Sequence, residues 1–162
     1  MRPDDEYYDS IAEGYEELHK EEQLNKLRFI SKHFKVKKTD KLLDVGCGTG
    51  ITKEYWKCKT YGIDPAKKLL EKAKGKNYFL ATAENIPFDD NSFDVVTSIT
   101  AIQNFYDIKK GLSEIKRVGK RRFILSALKK SPKINIIREE INKLFDVKEE
   151  LEEEKDIVWI IE

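Results

Sequence analysis

The chain has 162 residues, with 31 lysines and arginines against 30 aspartates and glutamates, and a formal net charge of +1. That length suits one domain able to bury about 70% of the surface its unfolded form exposes, so no disulfide or metal staple is required. A composition 40% apolar and 38% charged excludes collagen, coiled-coil rod and low-complexity linker, and the near-zero net charge argues against disorder through self-repulsion.

In chain order, Tyr7 to Phe34 reads as one or two helices. Leu42-Leu43-Asp44-Val45 is a short buried-strand signal ended by Gly46, and Ile51 to Trp56 reads as helix. Thr60-Tyr61-Gly62-Ile63 predicts a second strand. A helix is expected from Pro65 to Ala73, with Asp64 as its N-cap and proline in the first turn, where a missing N–H costs nothing. Tyr78-Phe79-Leu80 and Asp94 to Ile99 predict strands three and four. From Asp107, apolar residues Ile108, Leu112, Ile115 and Val118 fall at helical spacing. Val118 to Arg122 reads as a tight turn before a fifth strand centred on Phe123-Ile124-Leu125. Ser131-Pro132 opens a helix with Ile134, Ile137, Ile141 and Leu144 on one stripe, and Asp146 to Leu151 and Ile157 to Ile161 give two closing strands.

Alternation of strand and helix implies one doubly wound, mostly parallel sheet covered on both faces. The link between the last two strands is too short for a crossover, so one antiparallel C-terminal strand is expected. The division expected is an N-terminal helical cap over 1–38, a core over 39–128, and a C-terminal helix and strand pair over 129–162. Ligands in such sheets bind at the carboxyl ends of the strands, where strand order reverses.

Cys47 and Cys58 make neither a disulfide framework nor a metal site, and no apolar run approaches the ~20 residues that span a membrane. The acidic Met1-Arg2-Pro3-Asp4-Asp5-Glu6 start lacks an apolar signal core, so a soluble, cytoplasmic protein is expected. Charge is segregated. Residues 1–22 hold nine acids against Arg2 and Lys20, whereas residues 109–133 hold ten bases against Glu114. Of these, Lys129, Lys130 and Lys133 follow the fifth strand and fall at the site edge, and the group from Lys116 to Arg122 falls at the opposite edge. Strong intrinsic nucleic-acid binding is therefore not expected.

Leu43-Asp44-Val45-Gly46-Cys47-Gly48-Thr49-Gly50 lies between a strand and a helix, where glycines permit a sharp turn and a close-approaching ligand. Ile51 occupies the place of the last glycine of a dinucleotide fingerprint, and no Gly-Lys-Ser/Thr follows to make a P-loop. The Asp-x-Gly-x-Gly-x-Gly run resembles the first motif of the class I S-adenosylmethionine-dependent methyltransferases, in particular the type 11-like domain. Ile63-Asp64 resembles that family's acidic end of strand two. Ala81-Thr82-Ala83-Glu84-Asn85-Ile86-Pro87-Phe88 and Asp90-Asn91-Ser92-Phe93-Asp94-Val95-Val96 resemble its third and fourth motifs in order. The similarity spans residues 7–128.

That resemblance implies a Rossmann-like fold and methyl transfer from S-adenosylmethionine by in-line displacement at sulfur. It places Asp44 at the cofactor's amino group, Gly46, Cys47, Gly48 and Gly50 along its amino-acid and ribose portions, and Asp64 with Pro65 at the ribose diol. Thr82, Ala83 and Glu84 fall near adenine, with Thr82 where many members carry an acid. Ser98 closes strand four, and Tyr8 and Tyr15 belong to an N-terminal cap folding over the cofactor. Gln103, Asn104 and Tyr15 are acceptor-side candidates, and the two amides could read a planar heterocycle or simply cap a helix. Ser98 to Phe105 resembles both ribosomal-RNA guanine-N7 and quinone-pathway C-methyltransferases. The acceptor is thus a small molecule, or RNA or protein presented with a partner subunit. In some members of this size that partner is a small zinc-binding activator on the strand-three edge. A non-catalytic cofactor-binding module of a larger complex is the alternative reading.

Overall fold

A computed structural model describes the backbone of residues 12–73 and 75–162, with side chains from His19 onward. Helix α1 (Ala12–Ser31) precedes β1 (Lys41–Val45), α2 (Ile51–Trp56), β2 (Lys59–Asp64), α3 (Lys67–Glu71), β3 (Tyr78–Leu80) and β4 (Phe93–Ser98). A 3₁₀ turn (Ile102–Asn104), α4 (Ile108–Val118), β5 (Gly119–Leu128), α5 (Ile134–Leu144), β6 (Glu149–Glu152) and β7 (Asp156–Ile161) follow.

The strands form one seven-stranded sheet in the order β3-β2-β1-β4-β5-β7-β6. Pairings from β3 to β5 are parallel, and β7 is antiparallel to both β5 and β6. The antiparallel strand has a local cause. Only residues 153–155 separate β6 from β7, and the Glu153 N–H closes that turn on the Asp156 carbonyl at 2.8 Å. Strand order reverses at β1 and β4, which opens a crevice at their carboxyl ends.

The period-2 alternation of side chains distributes each strand between two cores. Leu43, Val45, Val96, Phe123, Leu125 and Trp159 face one side, where α4 contributes Leu112, Ile115 and Val118 and α5 contributes Ile137 and Ile141. Leu42, Val95, Ile124, Val158 and Ile160 face the other, where Ile30 and Phe34 from the end of α1 and its exit pack. Trp159 is fully buried, and its indole N–H reaches Glu150 Oε1 at 2.7 Å, so the largest core side chain leaves no donor unpaired. At the free edge, β3 exposes Phe79 and Leu80 (40% and 59%).

Local structure departs from the sequence reading in three places. Asp64 does not cap α3. The helix starts at Lys67 with Ala66 in the N-cap position, because the Asp64 carboxylate closes a tighter turn by accepting from the Ala66 N–H at 2.8 Å. The expected turn before strand five is already strand, since β5 begins at Gly119 and a register shift opposite Phe93 and Val95 absorbs the extra residues. Helix α5 begins at Ile134 rather than at Ser131-Pro132, and Ser131 Oγ accepts from the Lys133 N–H at 3.1 Å just ahead of it. Helix α4 starts where expected, with Asp107 as N-cap accepting from the Lys110 N–H at 3.1 Å. No helix among the described residues is long and apolar enough to cross a membrane.

Candidate active site at the sheet crevice

The glycine loop leaves β1 at Asp44-Val45 and is fastened at once to β2. The N–H groups of Gly46 and Cys47 both donate to the Ile63 carbonyl, at 2.8 and 3.0 Å. Two conformational demands explain the glycines. Gly46 has φ +80°, and a Cβ there would stand 2.6 Å from Ala101 Cβ, so any side chain is excluded by strain and space together. Gly48 has φ +54°, which aims its N–H at Asp64 Oδ2, 2.9 Å away.

Asp44 is buried to 4% exposure, and its Oδ1 accepts from Thr97 Oγ1 at 2.8 Å. Burial pushes its carboxyl up to about 6, against the opposing effect of hydrogen bonds from Thr52 and Thr97. A carboxylate held among neutral hydroxyls at the floor of a crevice is prepared for a cationic group. Asp64 accepts backbone N–H bonds on both oxygens, from Gly48 on Oδ2 and from Ala66 on Oδ1. Thr49 Oγ1, on the crevice wall, is buried with no hydrogen-bond partner among the described residues.

The crevice and its open mouth together hold about 980 Å³ of space not filled by protein atoms. Its wall brings together Asp44, Gly46, Cys47, Asp64, Pro65, Thr82, Ala83, Glu84 and Asn104, nine of the residues the sequence singles out. Glu84 reaches it because residues 83–84 form a turn rather than an extended run, and its Oε2 accepts from the Asp107 N–H at 2.8 Å.

Four candidates stand behind the wall instead. Ser98 is fully buried, with its hydroxyl donating to the Val45 carbonyl at 3.0 Å. Gln103 turns inward, donating from Nε2 to the Thr100 carbonyl at 2.8 Å, so Asn104 alone of the two amides faces the crevice. Gly48 and Gly50 do not line the crevice and serve the path of the loop with φ of +54° and +85°. Tyr8 and the Tyr15 side chain lie outside the described residues. Cys47 is buried, and desolvation together with the Asp64 and Asp44 charges raises its thiol well above the ordinary value, which leaves it protonated and inert. Neither histidine is on the wall. His19 lies 3.3 Å from Glu22, and His33 3.8 Å from Glu149.

The sequence reading missed Gln23 and Leu27 of α1 and Tyr106, and within the Ser98–Phe105 run at the mouth it singled out Gln103 and Asn104 rather than Ile99, Thr100 and Phe105. Gln23 and Leu27 are four apart and so share a helix face, a signal present in the sequence. Nothing in it says which face meets the crevice.

A family model described as a methyltransferase domain matches residues 43–125. The demethylmenaquinone methyltransferase of Thermotoga maritima is 35% identical over 102 residues, covering 57% of this chain and 44% of that protein. A solved structure from Methanococcus maripaludis superimposes with a TM-score of 0.75 at 15% identity, covering 97% of this chain and 91% of its own. A chain in a complex with the Trm112 methyltransferase activator of Haloferax volcanii superimposes with a TM-score of 0.65 at 20% identity, covering 78% and 61%. This chain spans less than half the length of the curated relatives it matches.

Proposed function

Because this chain belongs to the methyltransferase domain family, we propose that it binds S-adenosylmethionine in the crevice between β1 and β4 and transfers its methyl group to an acceptor at the mouth. The observation that carries this reading is Asp44, a carboxylate buried on the crevice wall whose Oδ1 accepts from the neutral hydroxyl of Thr97. The surroundings fit the same ligand. The Gly46-Cys47 loop lines the crevice, Asp64 presents a carboxylate of the kind that suits a diol, and Thr49 Oγ1 is a buried hydroxyl in need of a partner.

When bound, S-adenosylmethionine supplies an electrophilic methyl group on a positively charged sulfur. The chain's own contribution is binding and alignment. Asp44 holds the amino group, and Asp64 orients the ribose while tying down Gly48. Thr82, Ala83 and Glu84 border the adenine end. Leu27 and Phe105 line the wall with apolar surface that excludes water, and Asn104 and Tyr106 offer polar groups to an acceptor. A nitrogen lone pair as nucleophile needs no base, only this alignment.

Calorimetry with S-adenosylmethionine, S-adenosylhomocysteine and NAD tests the binding. Tighter binding of NAD than of either sulfur ligand would overturn it. Incubation with methyl-labelled cofactor and fractionated extract, followed by nuclease or protease digestion, identifies the acceptor class. Binding without any labelled product favours the alternative, a non-catalytic cofactor-binding module of a larger complex.

A small activator subunit on the β3 edge belongs to the same proposal when the acceptor is RNA or protein. An edge strand presenting Phe79 and Leu80 to solvent is a liability that an added strand would relieve. The relevant assay is co-expression with a candidate activator. Phe79→Lys with Leu80→Lys should abolish co-purification while leaving cofactor affinity unchanged.

A further inference from the structure

Lys26 is 4% exposed and Asp156 0%, an ion pair sealed between helix α1 and the start of β7, with Nζ to Oδ1 at 3.3 Å. The same ammonium donates to Thr100 Oγ1 at 2.8 Å, and that hydroxyl donates onward to Asp156 Oδ2 at 2.5 Å. Ser126 Oγ donates to the same carboxylate oxygen at 2.7 Å and accepts from the Thr100 N–H at 2.9 Å. Four segments distant in sequence therefore meet at one residue, Thr100, in the exit of β4.

Burying a charge pair so completely gains little stability over apolar side chains of the same volume, so stability is a poor reason for this network. Conformation is a better one. Thr100 has φ +56°, a left-handed backbone that a β-branched residue adopts only when its surroundings enforce it. Both its hydroxyl and its N–H are held by the network. The consequences run in two directions. The next residue is Ala101, whose methyl lies against the bare face of Gly46, and beyond it the 3₁₀ turn delivers Asn104 and Phe105 to the crevice wall. On α1, Gln23 and Leu27 flank Lys26 and form part of the same wall. Glu22, one turn earlier, pairs with Lys155 beside Asp156.

We infer that Lys26 is a positioning residue which, through Asp156, holds Thr100 in its left-handed conformation and so sets the wall where methyl donor and acceptor meet. This rests on the reading of the crevice given above. It assigns the buried pair to the shape of the site, and it makes the seating of α1 and the geometry of the β4 exit interdependent.

The decisive comparison removes both charges together, since Lys26→Met alone would strand a buried carboxylate. Lys26→Met with Asp156→Asn should fold with a protected sheet yet exchange its amides over residues 99–105 faster than the wild type. Its S-adenosylhomocysteine affinity in calorimetry should fall about tenfold, and adding Thr100→Gly should bring it back to within about threefold, since glycine takes a positive φ without being forced. Unchanged exchange over 99–105 in the charge-free pair would overturn the inference, as would failure of glycine to restore affinity. A wild type that does not bind S-adenosylhomocysteine would overturn the cofactor reading instead, and the exchange measurement on the ligand-free protein still decides the role of Lys26.

Discussion

Asp64 and Gly48 are joined by a hydrogen bond of 2.9 Å from the glycine N–H to Oδ2, while Oδ1 accepts from the Ala66 N–H at 2.8 Å. One carboxylate thus fastens the glycine loop to the exit of β2 and shapes the chain entering α3. The part in binding proposed for it and its part in structure are not separable by sequence position, only by measurement.

Replacing Asp64 with Asn or Ala should weaken S-adenosylhomocysteine binding by roughly 10- to 150-fold, the equivalent of about 1.5–3 kcal/mol for a lost charge-assisted hydrogen bond. The melting temperature should fall as well, because Asn can serve only one of the Gly48 and Ala66 N–H groups and Ala neither. Calorimetry and thermal unfolding on the same variants separate the roles. Unchanged affinity with a lowered melting temperature would reduce Asp64 to a turn anchor.

Asp44 predicts a pH dependence of definite sign. Its folded-state pKa of about 6 lies above the ordinary 3.8, so the folded protein holds the proton more tightly than the unfolded chain. The associated stability is fully present below about pH 3.8 and is lost as pH rises through about 6, some ~3 kcal/mol in all. Asp44→Asn should therefore stabilise the ligand-free protein at pH 7 in urea unfolding and flatten its profile between pH 4 and 7. A cationic ligand reverses the preference. S-adenosylmethionine affinity should be about tenfold weaker at pH 5 than at pH 7, and this difference should vanish in the Asn variant.

Gly46→Ala should cost stability and ligand together. The left-handed backbone alone disfavours a side chain by about 1–2 kcal/mol, and the contact with Ala101 adds to it. Gly48→Val should abolish S-adenosylhomocysteine binding, since a β-branched residue at φ +54° would withdraw the N–H from Asp64. Retained binding in the Val variant, seen by calorimetry, would show that the loop tolerates another path.

The basic segment should not make this chain a strong RNA binder. Arg117 is engaged by Glu114, Asp90 and the carbonyls of Ile86 and Phe88, Arg122 by Asp40, and Lys120 by Asp94, all away from the crevice mouth. Near the mouth, Lys133 donates to the Gln103 carbonyl and Lys129 pairs with Glu152. Three phosphate contacts from Lys129, Lys130 and Lys133 give a log–log salt slope of only about −2 on single-stranded RNA. A much steeper slope with tight binding, lost when those three lysines become Glu, would instead describe an RNA methyltransferase needing no partner.

Much of this architecture was written locally. Strand positions follow from short apolar runs such as Leu42-Leu43 and Val95-Val96, the antiparallel end from a link too short to cross over, and the crevice from a glycine run placed between strand and helix. Asp44, Gly46 and Asp64 could be named because their motifs resemble those of the methyltransferase family. Other features depended on atoms far apart in sequence. Thr100 carries no sign of a left-handed backbone, which arises only because Lys26, Ser126 and Asp156 converge on it from three other elements. Ser98 and Gln103 looked like site residues by position, but hydrogen bonds to the Val45 and Thr100 carbonyls turned them inward. Asp64 looked like a helix cap, but its Oδ1 closes a turn on the Ala66 N–H and its Oδ2 is taken by the Gly48 N–H, sixteen residues away. Periodicity and turn chemistry are properties of neighbours along the chain, whereas the direction of a polar side chain is settled by whichever buried donor or acceptor folding brings within 3 Å.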